Sequence, residues 1–150
     1  MVRRNRTPAA AGALAAGLLV ESCRTGSVDS LTLGVVSDLA LDLERGLDAL
    51  ASPAGEDDDL VEAALACADL ATLAACNLSG LPEDGEPLAA AAVHLAAGAA
   101  RALVVLVEAR AWTLDEDHAE NTLRDVRGAL WRADLAVRQV TEIRKREAPD

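Results

Sequence analysis

Residues 88–111 read LAAAAVHLAAGAARALVVLVEARA, a run in which His94, Arg101, Glu108 and Arg110 are the main polar interruptions. Alanine and leucine are strong helix formers, whereas a strand favours β-branched and aromatic residues. On a helix His94, Arg101 and Glu108, seven apart, trace one narrow stripe. A membrane span is the alternative for so apolar a run, but Arg101 falls near its centre, where a charge is costly. The stretch therefore reads as the central helix of a soluble bundle.

The rest of the chain has the same character. Hydrophobic residues make up 51% of the 150 positions, yet aromatics are 1%: there is no Phe or Tyr, and only Trp112 and Trp131. Such a chain is long enough to bury a core without disulfides or metals. Punctuation divides it into helices. A first segment covers 8–24, with Pro8 acceptable in its first turn, and Thr25-Gly26-Ser27 breaks it. A second runs from near Val28 to Ala51, and Ser52 to Glu56 turns the chain. Asp57, Asp58 and Asp59 open a third, where carboxylates favour a helix N-terminus. Gly80 and Pro82 stop it. The fourth begins near Pro87, and the fifth ends near Arg146. Short connections make neighbours antiparallel. The expected fold is all-α: one domain over 1–150, an up-and-down four-helix bundle over 28–146 with an additional N-terminal helix over 8–24.

Finer expectations follow from spacing. Val36, Leu39, Leu43, Gly46 and Leu50 predict the packed seam of the second helix. Thr113-Leu114-Asp115-Glu116 matches a capping box, and Asp117 to Glu120 offers a second start. In the last helix Leu123, Val126, Leu130, Ala133, Val137 and Val140 make a heptad-like seam. Trp131 and Leu135 lie about 100 to 140 degrees away from Leu130, among Arg124, Arg127 and Arg138. One face goes to the core, and the other needs separate cover. That cover is either a partner or the N-terminal helix.

A net charge of −11 argues against nonspecific nucleic-acid binding, which needs cations to displace counterions. Cys23, Cys67 and Cys76 form no CxxC pair and no ligand set. Cys67 and Cys76 point to opposite sides of one helix and cannot bridge within it. They read as small buried hydrophobes of a reducing compartment, which predicts a cytoplasmic protein. The alternative is export through residues 1–23: Arg3 to Arg6, the apolar run Ala9 to Val20 and Cys23 have the outline of a lipoprotein signal. Glu21 stands where such a signal carries a small uncharged residue.

The residues give catalysis little support. His94 and His118 are the only imidazoles, and neither falls in a Ser, Cys or Asp arrangement. A di-iron bundle requires two Glu-x-x-His pairs; Asp115 precedes His118 by three, but Ala91 holds the matching place before His94. Asp38 with Asp42 and Glu44 with Asp48 resemble the D/E-x-x-x-D metal clusters of helical phosphate-regulatory proteins, but on one helix they read as solvated charge. Neither a metal nor a cofactor is expected.

The stretch Pro8-Ala-Ala-Ala-Gly-Ala-Leu-Ala-Ala-Gly-Leu-Leu19 resembles the first helix of folate cyclodeaminase/cyclohydrolase domains, which are Ala-rich helical dimers, and Asp125 to Ile143 has a similar texture. The family's consecutive glycines are Ala9, Ala10 and Ala11 here, and the chain is shorter, so no catalytic residue is carried over.

The functional expectation is a non-catalytic binding or assembly module, a homodimer or a small subunit of a complex. Trp131 and Leu135 would anchor it, with Arg124, Arg127 and Arg138 at the rim. The alternative is a small-molecule-binding or enzymatic bundle whose interhelical pocket is lined by His94, Arg101 and Glu108.

Overall fold

A computed structural model describes residues 6–24, 31–51, 59–78, 81 and 85–148. They form α1 (Arg6–Arg24), α2 (Leu31–Ala51), α3 (Asp59–Asn77), α4 (Glu86–Ala111) and α5 (Glu116–Glu147). The protein is an all-α, five-helix up-and-down bundle, four packed helices plus the N-terminal α1, with no strand among the described residues. The expected breaks at Thr25-Gly26-Ser27, Ser52 to Glu56 and Gly80-Pro82, and the start of the second helix near Val28, lie outside the described residues, as do Asp57 and Asp58.

The helices stack in three layers. α3 and α4 form the middle, α1 and α2 cover one side through the α1–α4 and α2–α3 contacts, and α5 packs on the α3–α4 pair from the other. The core is alanine interleaved with Leu19, Leu47, Leu70, Leu78, Leu103, Val93, Val126 and Val140, all fully buried. Cys67 is buried among them and Ser22 is the one buried polar residue among those described; its Oγ donates to Leu19 O at 2.6 Å. Small side chains let helices approach closely, and at Gly12 they do. A Cβ there would lie 2.6 Å from Cys67 Sγ and 3.1 Å from a Leu47 methyl.

α4 touches α1, α3 and α5, and α3 touches all four other helices, so the two share the centre of the bundle. By length and composition alone Leu60–Asn77 and Glu86–Ala111 are apolar enough to cross a membrane, yet about half of each is buried inside the bundle, as expected of core helices. Arg101, in the middle of α4, is exposed and donates to Asp134 of α5 through Nε at 3.1 Å and through Nη2. Arg132 Nη1 likewise donates to Asp69 of α3. These two ion pairs clamp α5 to both middle helices. Being half-exposed, they contribute about 1 kcal/mol or less each.

Two local expectations need correction. The seam of α2 is Val36, Ala40, Leu43 and Leu47; Leu39 is 48% exposed, Gly46 faces open space, and the side chain of Leu50 lies outside the described part of the structure. Both sets obey three-four spacing, and α2 is rotated so that Leu47 fills the space above Gly12. The second correction concerns the start of α5. Its N-cap is Asp115, whose Oδ1 accepts from His118 N at 2.9 Å. Thr113 does not cap α5, because its hydroxyl turns back and donates to Arg110 O at 2.8 Å, satisfying the last turn of α4. Glu116 and Asp117 in the first turn of α5, and Arg144, Lys145 and Arg146 in its last, complement the helix dipole.

Candidate functional site

α5 buries Val126, Ala129, Ala133, Ala136 and Val140, with Leu123, Leu130 and Val137 half-buried beside them. The expected core seam is therefore in place. Trp131, 67% exposed, and Leu135, 42% exposed, point away from it. α1 lies across the α3–α4 layer from α5, so it does not cover Trp131. Arg124, Arg127 and Arg138 are exposed on the same outward side, and Arg124 Nη2 sits 3.5 Å from Glu120 Oε1 one turn earlier. The result is an apolar step in the middle of a long helix, framed by guanidinium groups that bond to carboxylates or stack on rings.

Beside this ridge an open groove of about 550 Å³ runs between α3 and α5, lined by Ala75, Cys76, Leu135, Arg138, Gln139, Glu142, Ile143 and Arg146. Leu135 belongs to both ridge and groove. Of the three cysteines expected to be buried only Cys67 is; Cys23 is half-buried, and Cys76 is exposed in the groove because it sits on the opposite side of α3 from Cys67. Burial pushes the Cys67 thiol up to about 12. Partial burial also raises Cys23, against an opposing hydrogen bond with Ser22.

His94, Arg101 and Glu108 share one stripe, as their spacing requires, and it is the exposed side of α4. Successive members are about 10 Å apart along the axis. Arg101 is held by Asp134, and none of the three lines the groove between α3 and α5. Asp38 and Asp42 are exposed on α2, with Asp42 3.7 Å from Arg45. Among the described residues no group of three or more His, Cys, Asp or Glu side chains comes together as a metal site.

Two features escaped sequence reasoning. Trp112, at the end of α4, is 91% exposed, so neither tryptophan belongs to the core. A cleft of about 390 Å³ opens at that end of the bundle, its polar rim formed by Arg110, Thr113, His118 and Thr122 over Leu60, Val61, Val107 and Leu114. The available signal was the position of Arg110 and His118 on either side of one tight α4–α5 connection.

No protein-family profile and no curated protein matches this chain.

Proposed function

We propose that the protein is a non-catalytic association module whose contact surface is the outward face of α5. The observation that carries this reading is Trp131: a large aromatic, exposed in the middle of a helix, in a chain that fills its core with alanine, leucine and valine. Tryptophan and arginine are the residues most enriched among interface anchors, and the Trp131 face combines the two chemistries at one place on the surface. Leu135 extends the anchor by one turn. Arg124, Arg127 and Arg138 order the rim, where a partner carboxylate set against a guanidinium forms a charge pair, and the Arg101–Asp134 and Arg132–Asp69 pairs tie the helix to α4 and α3. Preorganisation of that kind lowers the entropy lost on binding.

Three unbridged cysteines suit a reducing compartment, and the cytoplasm is the proposed location. The function is tested by Trp131→Glu in a protein that circular dichroism shows to be folded. Loss of assembly or partner binding supports the reading, and unchanged assembly and partner binding would sink it.

A further inference from the structure

Resting on that reading of α5, we infer that the partner is a second copy of this chain, docked through α5 in antiparallel register about the level of Ala133. The outward positions from Asn121 to Lys145 recur at three-four spacing, as a second heptad seam opposite the buried one, and every one of them is exposed. A two-fold axis makes such a surface meet itself, so charges along it must be self-complementary.

In the antiparallel register each position i faces position 266 − i. Trp131 then meets Leu135 of the other copy, twice by symmetry, giving an apolar centre. Gly128 faces Arg138, and the missing side chain leaves room for the guanidinium stem. Arg124 faces Glu142, again twice. Both are exposed and hold only weak partners within their own helix, Glu120 at 3.5 Å and Lys145 at 3.6 Å.

Other registers fail on the same residues. A parallel pair sets Arg124, Arg138 and Lys145 against their own copies. Sliding the antiparallel pair by one heptad either way puts Trp131 opposite Gly128 or Glu142. Arg132 and Asp134 flank the seam near the two-fold axis, and each is already neutralised, by Asp69 and Arg101 respectively. A contact confined to one helix per copy falls below the roughly 1,600 Å² of a standard interface. Such a dimer is reversible, its mass rising with protein concentration.

Sedimentation equilibrium at low salt tests the register with Arg124→Glu, Glu142→Arg and their equimolar mixture. The wild type dimerises, and each single reversal weakens the dimer about tenfold or more, since it sets like charges opposite in two places. The mixture recovers the dimer, because in the mixed pair both contacts again join opposite charges. A dimer abolished by Trp131→Glu but indifferent to both reversals, or not rescued by mixing, overturns the register while the α5 surface stands. A dimer indifferent to Trp131→Glu removes that surface as well. A wild type monomeric at every concentration overturns the second copy as partner.

Discussion

Gly12 of α1 lies directly over the thiol of Cys67 on α3, so close that a single methyl group at Gly12 would sit 2.6 Å from Sγ. The second-nearest neighbour is Leu47 of α2, at 3.1 Å. Three helices thus converge on a position with no side chain, and both neighbours are fully buried and have little freedom to withdraw.

Gly12→Ala should therefore destabilise the fold by about 1–3 kcal/mol, the cost of overpacking outweighing the better helix propensity of alanine. Adding Cys67→Ala makes room and should recover part of the loss. Urea unfolding of the two single variants and the double variant measures this coupling, and strict additivity would contradict the close approach.

Cys67 also makes stability depend on pH. Folding favours its neutral thiol, whose titration moves from the ordinary 9.0 to about 12. The stabilisation is complete below pH 9 and declines as pH rises from 9 towards 12, with a slope of up to about 1.4 kcal/mol per pH unit. The difference between wild type and Cys67→Ala in urea midpoints across that range isolates the effect. Burial keeps Cys67 protonated and out of reach while Cys76 is exposed, so a thiol reagent should modify Cys76 first and reach Cys67 on unfolding.

Asp115→Ala should cost about 1 kcal/mol, since it leaves the His118 amide without its acceptor. Asp115→Asn keeps an oxygen in place and should lose less. In the alanine variant amide exchange should quicken more at His118 than in the middle of α5, a difference that a general loss of stability would not produce.

The helices were legible because alanine, leucine and the turn residues act locally. The bounds of α4 and α5 follow from Pro87, the 113–115 turn and the charged last turn. That Trp131 and Leu135 stand off the core seam follows from their angle to Leu130; that α1 leaves them uncovered was not legible, because it depends on which side of the α3–α4 pair α1 takes. The seam of α2 did not: Leu39 and Gly46, and Ala40 and Leu47, satisfy the same periodicity, and only α1 and α3 decide which set turns inward. His94, Arg101 and Glu108 were legible as a stripe, but one helix does not say whether a stripe faces another. Gly12 was invisible for the same reason, because Cys67 is distant in sequence.

The most direct test of the α5 surface is solution mass by light scattering for wild type and Trp131→Glu, from micromolar to near-millimolar protein. The wild type should rise from 15.5 kDa towards twice that mass, while the folded variant stays at one chain throughout. Equal masses for the two proteins at every concentration would contradict self-association through this face.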